Sequence, residues 1–86
     1  MTEAERVRVD RWLWSVRAFK TRTDATAACT AGHVRVGGAT VKPAHRVGVG
    51  DEVEARRGER ALRFRVVRPV EKRVGASVAA ACYEDL

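Results

Sequence analysis

The stretch 8–46 constrains the fold most, because its hydrophobic pattern changes there from a helical period to a strand period. Before Gly32 the apolar side chains recur at helical spacing, and after it Val34 and Val36 alternate with polar neighbours. The pair Gly37-Gly38 follows, a typical two-residue hairpin signal, since glycine accepts positive φ at both turn positions. The sequence therefore predicts two helices that lead directly into a β-hairpin.

The first predicted helix has an apolar stripe of helical period. Trp12, Val16 and Phe19 lie at i, i+4 and i+7, with Leu13 beside them. Asp10 precedes the stripe and is predicted to be the N-cap. We expect the stripe to face the core.

The second predicted helix begins after Thr21, a good N-cap with Asp24 as a capping-box partner three residues later. It is expected to run to residue 30 or 31 and to end at Gly32 as a C′ glycine. Its predicted buried side consists of small residues, which permit close packing on the first helix: Ala25, Ala28 and Cys29.

The remaining chain alternates in a strand period between turn signals. Strands are predicted at 39–41, 52–56 and 62–67, with a hairpin turn at 57–60 and a short C-terminal helix within 76–83. Residues 1–7 are polar and expected to be frayed. Together these elements predict a single α+β domain over residues 1–86, with two short N-terminal helices packed on a small, mostly antiparallel sheet.

Positive charge is concentrated in the first half of the chain. Residues 1–46 contain nine Lys/Arg against four Asp/Glu, whereas residues 47–86 contain eight against seven, within a net charge of +6. The basic residues are mostly arginine, whose planar donors fit phosphate oxygens. This composition predicts a phosphate-backbone binder. No apolar run approaches the ~20 residues of a membrane span, and no signal-peptide core is evident, so we expect a cytoplasmic protein without a membrane partner.

The start of the second helix is the candidate binding site. Its first backbone N–H groups lack intrahelical partners and its dipole is positive there, which suits phosphate. The alternative is an ordinary solvated charged face. The predicted RNA contacts are Arg8, Arg11, Arg17, Lys20, Thr21, Arg22, Thr23, Arg35, Lys42 and Arg46.

Two other residues of the basic region have more than one interpretation. Trp14 could stack on a base, but packing beneath the C-terminal segment is favoured, because aromatic side chains mostly supply packing energy. Asp10 has no partner acid, nucleophile or histidine placed for catalysis. Besides capping, it could therefore pair with Arg8 or Arg22.

The histidines and cysteines do not predict a metal or cofactor site. His33 and His45 are isolated from other ligands at metal spacing. Cys29 and Cys82 are far apart and without a CxxC pattern, so we expect buried, reduced thiols.

The order of motifs over residues 8–55 resembles the S4 RNA-binding domain, the type named after ribosomal small-subunit protein four. The matching segments are Arg8-Val9-Asp10, Leu13, Thr21-Arg22-Thr23-Asp24-Ala25, the run from Ala31 to Gly38, Val41-Lys42-Pro43 and the run from Val49 to Val53. The runs Asp10 to Trp14, Phe19 to Arg22 and Ala81 to Glu84 are similar to the bacterial heat shock protein 15 group.

This resemblance implies an αL RNA-binding motif and a ribosome-associated role. The heat shock protein 15 group binds free large ribosomal subunits that still hold a nascent chain on tRNA, and aids their recycling. The family's RNA-contacting surface corresponds here to Arg8, Lys20, Thr21, Arg22, Thr23, Arg35 and Lys42, with Arg11 and Arg46 nearby. Gly37-Gly38 replaces the family's frequent Asn-Gly, and Thr21 replaces its usual serine. The sequence ends at Leu86, whereas better-known members continue into a long basic tail.

The leading hypothesis is a monomeric, non-enzymatic binder of structured RNA, with large-subunit ribosomal RNA as the partner and no small-molecule substrate. The rival is a DNA-binding helix-turn-helix protein. Against the rival, the second helix is rich in alanine and offers few side chains that could contact base edges in a major groove.

Overall fold

The computed structural model describes residues 5–86 and confirms the α+β class. The helices are α1 (Val9–Ser15), α2 (Arg22–Thr30) and α3 (Ala76–Ala80). The strands are β1 (Val7–Arg8), β2 (Val34–Val36), β3 (Ala39–Thr40), β4 (Arg46–Val47), β5 (Glu52–Arg57), β6 (Arg60–Val66) and β7 (Tyr83–Asp85). The helical pair therefore leads into the sheet as the change of period predicts.

The strands form two antiparallel arrangements. A five-stranded sheet has the order β3-β2-β5-β6-β7, and β1 pairs separately with β4. Gly37 and Gly38 form the β2–β3 turn with φ of 61° and 86°, as their sequence predicts. The β1–β4 pair and β7 were not predicted, because each has only two or three residues and no clear alternation.

The start of α1 differs from the prediction. The N-cap is Arg8, without a side-chain cap bond, and Asp10 lies inside the first turn with no exposed surface. The helix N-terminus is satisfied by a distant loop instead, since the Val9 N–H donates to the His45 carbonyl at 2.7 Å. Asp10 as N-cap is therefore wrong, because tertiary partners replaced the local cap and left its carboxylate for other contacts.

Both ends of the second helix lie where the sequence predicts them. The Thr21 hydroxyl accepts from the Asp24 backbone N–H at 3.0 Å, as expected of an N-cap. Gly32 follows the helix with φ of +82°, in the left-handed region that favours glycine. The predicted small residues face inward, and all three are buried: Ala25, Ala28 and Cys29.

One hydrophobic core joins α1 and α2 to the inner face of the sheet. Trp12 and Leu13 are fully buried, and Val16 and Phe19 are nearly so, which confirms the burial of the predicted stripe. The helix is shorter than predicted, because α1 ends at Ser15 and leaves Val16 and Phe19 beyond it. The Trp12 ring meets the edge of Phe64 with centroids 6.2 Å apart. These contacts fix the distance between α1 and the sheet, and so fix where α2 begins.

Residues 7–8 and 83–85 form strands that the sequence does not predict. Helix α3 stops at Ala80, because residues 83–85 leave the helix to pair with β6 as β7. Val7 is buried in β1, so fraying does not extend to it. The same prediction for residues 1–4 falls outside the described residues.

Candidate nucleic-acid interface

A concavity opens at the start of α2. It has a volume of about 470 Å³ and is lined by Arg8, Asp10, Arg22, Thr23, Thr26 and Ala27. Because Thr21 caps the helix, the chain enters α2 with extended backbone and turns sharply at Arg22. Arg22 and Thr23 are exposed. The first-turn N–H groups and the positive end of the dipole therefore lie beside cationic and hydroxyl side chains, an arrangement suited to phosphate.

The Asp10 carboxylate organises one wall of this concavity. It accepts from Arg8 Nε at 3.0 Å and Arg8 Nη2 at 2.9 Å, a bidentate pair. The Thr26 hydroxyl donates to the same carboxylate at 2.9 Å. The Arg8 side chain stays 41% exposed while Asp10 is fully buried. The buried acid therefore holds the guanidinium in one orientation while part of it faces solvent.

The ionisation of this pair follows from its contacts. Burial raises the pKa of Asp10, but hydrogen bonds from Arg8 and Thr26 and the Arg8 charge outweigh it, so the net pKa is lowered. The hydrogen bond from Arg8 to Asp10, with their charge attraction, raises the pKa of Arg8. Asp10 thus matches one of the two ion pairs that the sequence suggested. The pair adds no net charge, so the positive field must come from its neighbours.

Cys29 lies close enough to Arg8 and Asp10 for their charges to affect its pKa. Burial, and to a lesser degree the Asp10 charge, raise the pKa of the Cys29 thiol to about 11, although Arg8 opposes the shift. Both cysteines are buried and free, as expected. A thiol in this state is a packing group rather than a nucleophile.

The other predicted contacts divide into exposed and anchored side chains. Lys20, Arg22, Arg35 and Lys42 are exposed, and within residues 5–86 none of them has an ion pair. By contrast, Arg17 Nε donates to the Val74 carbonyl at 2.7 Å.

Arg46 and Arg11 are also partly engaged. Arg46 Nη1 donates to the Arg6 carbonyl at 3.3 Å. Arg11 is half-buried, and its buried Nε lacks a hydrogen-bond partner within the described chain. The structure thus brings Arg8, Arg22 and Thr23 to one concavity, while Lys20 and Arg35 line two separate neighbouring grooves.

Thr26 is the member of this site that the sequence analysis missed. It follows Arg22 by four residues and Thr23 by three, so helical spacing alone puts the three on one face of α2. This spacing can be recognised in the sequence. The hydrogen bond from Thr26 to Asp10 cannot, because it joins residues 16 apart through the packing of α1 on α2.

Trp14 packs against the C-terminal segment, in agreement with the favoured interpretation. The Arg73 guanidinium lies over its ring at 5.7 Å from the centroid. Arg73 Nη1 also donates to the Trp14 carbonyl at 2.8 Å and to the Phe19 carbonyl at 3.2 Å. One face of this indole is therefore occupied by the protein itself.

Residues 5–86 contain no cluster of three or more His, Cys, Asp or Glu side chains able to hold a metal ion. None of the helices over the same range is long and apolar enough to cross a bilayer.

Comparison with known proteins supports the resemblance to the S4 domain. The family model described as the S4 domain matches residues 7–53. Heat shock protein 15 of Escherichia coli strain K12 is 35% identical over 82 residues, covering 95% of this chain and 62% of that protein. A homologue from Haemophilus influenzae is 33% identical over 85 residues, covering 99% of this chain and 64% of that one. The chain thus spans less than two thirds of the length of these curated relatives.

A solved structure is also similar. Heat shock protein 15 of Vibrio cholerae, described as trimeric, superposes with a TM-score of 0.89 at 32% identity, covering 95% of this chain and 83% of that one. The similarity extends beyond the helical pair to the sheet and the C-terminal segment, because it covers nearly the whole chain.

Proposed function

The chain belongs to the S4 domain family, close to heat shock protein 15, and on that premise we propose that it binds structured RNA through the opening of α2. The target we propose is ribosomal RNA of the large subunit. The observation that supports this most is the concavity where Arg8, Arg22, Thr23 and Thr26 meet the start of a capped helix.

The proposed mechanism starts with one phosphate at the first turn of α2. Backbone N–H groups and the helix dipole would hold it, and Arg22 would neutralise its charge. Arg8, oriented by Asp10, would contact the next phosphate along the backbone. Lys20, Arg35 and Lys42 would follow the same strand.

Recognition by such a surface depends on RNA shape. A-form helices expose phosphates and 2′-hydroxyls in a wide, shallow minor groove, whereas their base edges in the major groove are hard to reach. Apart from Arg22 and Asp24 in its first turn, helix α2 consists of alanine, threonine and cysteine, which provide no long polar side chain for base contacts. We therefore propose that the protein distinguishes folded RNA by backbone geometry and performs no catalysis.

The relatives suggest the physiological setting. They are named heat shock proteins. Following what the family resemblance implies, we propose that this chain acts on ribosomal large subunits under stress, in the recycling of those that retain a nascent chain. We keep the expectation that it binds as a monomer, and sedimentation at the concentrations used for RNA binding tests it.

Salt dependence tests the electrostatic mechanism. Each neutralised phosphate contributes roughly 0.7–0.9 to the slope of log affinity against log salt. With about four to six contacts, affinity for a large-subunit RNA fragment should fall on the order of a hundredfold or more between about 50 and 200 mM salt. Affinity that hardly changes over this range would contradict the proposal.

A matched pair of variants locates the surface. Arg22→Ala should lower RNA affinity and reduce the salt slope by about 0.7–0.9. Arg63→Ala removes the same charge from a side chain that lies 3.9 and 4.0 Å from Glu52 and Glu54, and should change neither. Equal effects of the two variants would mean that only net charge matters. Preference for duplex DNA over structured RNA at equal salt would contradict RNA as the target.

A further inference from the structure

A second groove lies between the exposed flank of α2 and the end of the β5–β6 hairpin. Its volume is about 570 Å³, within the range of sites that hold small ligands. Lys20, Asp24, Ala27 and Ala31 contribute from the helical side, and Arg56 and Arg57 from the hairpin. We call it the hairpin groove.

The hairpin is held against α2 by two hydrogen bonds to main-chain carbonyls. The Arg56 backbone N–H donates to the His33 carbonyl at 2.9 Å, just beyond the end of α2. Arg57 Nη1 donates to the Ala18 carbonyl at 2.6 Å, in the loop before α2. Both ends of the groove are therefore fixed, and the exposed Arg56 side chain is left for a ligand.

The hairpin groove is cationic at its edges and apolar at its floor. Lys20, Arg56 and Arg57 provide three positive charges against the single carboxylate of Asp24. Between them lie the small side chains of Ala27 and Ala31, both exposed on α2. An anion with a flat apolar part fits this combination better than a duplex backbone, which would leave the apolar floor against water.

We propose that the hairpin groove binds an unpaired nucleotide next to the RNA helix seated at α2, an inference that rests on the proposed function. The base would lie on the alanine floor with the Arg56 guanidinium beside it, and its phosphate would meet Lys20. Ala27 lines both the hairpin groove and the concavity at the start of α2, so the two sites are contiguous. The preferred target is then a stem with an unpaired flank.

Two RNAs with one common stem-loop test this proposal, one blunt-ended and one with a three-nucleotide unpaired extension, placed in turn on the 5′ and 3′ strand. The wild-type chain should bind one extended form roughly fivefold or more tightly than the blunt form, as expected for a stacked base. Arg56→Ala should remove that gain while leaving blunt affinity nearly unchanged.

A second variant and a control keep the test independent of folding. Ala31→Glu places a carboxylate on the exposed floor and should also abolish the gain. Arg63→Ala should retain it, and thermal melts should show that all three variants fold.

The outcomes separate the two proposals. Tight, salt-dependent binding of blunt RNA without gain from either extension overturns the groove alone, as does a gain that survives both groove variants. Absence of binding to every RNA overturns the proposed function and the groove with it. If an oligoglutamate peptide binds in an Arg56-dependent manner while extensions have no effect, the groove faces a protein and the inference is wrong.

Discussion

Arginines at the opening of α2 and arginines of the C-terminal half have the same chemistry but different partners. Arg22 is exposed and has no ion pair within residues 5–86. Arg57 and Arg73 instead donate to the carbonyls of Ala18, Trp14 and Phe19. Composition alone cannot distinguish these groups. The difference is whether the guanidinium still has donors to offer a ligand.

Arg57 and Arg73 have a structural reason to bind carbonyls. Helix α1 ends at Ser15, and the loop to α2 turns through Arg17 with φ of +67°, a left-handed conformation that is uncommon for arginine. The Trp14 carbonyl accepts from the Arg17 N–H at 3.1 Å, whereas the Ala18 and Phe19 carbonyls lie beyond the helix without intrahelical donors. Arg57 and Arg73 satisfy them from the sheet and the C-terminal segment, and this fixes the loop that positions α2.

The largest effect should come from the core that both groups of arginines depend on. Leu13→Ala truncates a fully buried side chain and should lower the free energy of unfolding by about 2–5 kcal/mol. Denaturant titration measures it. At temperatures where the variant stays folded, the salt slope for RNA should match the wild type. A loss below about 1 kcal/mol would mean that the α1 stripe is not the centre of the core.

Asp10→Asn should have the next largest effect, since it breaks a charged, buried hydrogen-bond set. The expected cost is about 1.5–3 kcal/mol of stability, together with weaker RNA binding as Arg8 loses its fixed orientation.

The same variant has a distinct pH signature. Because the folded pKa of Asp10 is lowered from 3.8, its contribution to stability is complete above about pH 4 and is lost as the pH falls through the lower folded value. The wild type should therefore lose stability more steeply than Asp10→Asn on acidification. Parallel curves of unfolding free energy against pH would show that the carboxylate is not stabilised as described.

Arg73→Ala tests the difference between the exposed and the carbonyl-bound arginines. It leaves the Trp14 and Phe19 carbonyls without this donor and uncovers the Trp14 ring, so stability should fall by about 1–2 kcal/mol. Its salt slope for RNA should remain that of the wild type. A slope reduced as much as by Arg22→Ala would place this arginine at the RNA instead.

Arg22→Ala should have the smallest effect on stability, within about 0.5 kcal/mol, because the side chain is exposed and outside any ion pair of the described chain. Its loss should appear in RNA affinity, as described above. Thermal melts read beside RNA titrations check this. A melting temperature lowered as far as by Arg73→Ala would remove the distinction between the two groups.

Local signals predicted α2 and the β2–β3 hairpin well. Thr21 caps one end of α2, Gly32 follows the other, and Gly37-Gly38 forms the turn, as each residue type favours. These outcomes depend on backbone preferences of a few neighbouring residues. The apolar stripe of α1 was correct for the same reason, although the helix ends four residues before Phe19.

The features that were predicted wrongly depend instead on contacts between residues far apart in the chain. Asp10 looked like an N-cap, but the first turn of α1 receives its acceptor from His45, in a loop 36 positions further along the chain. Strand β7 begins at Tyr83, the last residue of the predicted C-terminal helix, because residues 83–85 pair with the edge of β6. No local pattern contains such information.

The helix-to-hairpin order, the buried stripe and the concentration of positive charge in the first half can all be predicted from the amino-acid sequence, since each depends on neighbouring residues or on simple counts. Which arginines remain available for a ligand depends on tertiary packing. Packing of α1, α2 and the β5–β6 hairpin brought Thr26 to Asp10 and Arg56 beside α2, and it bound Arg57 and Arg73 to carbonyls. Arginine N–H groups are bound by carbonyls that are distant in sequence, so a count of arginines along the chain cannot show which of them are free to bind a ligand.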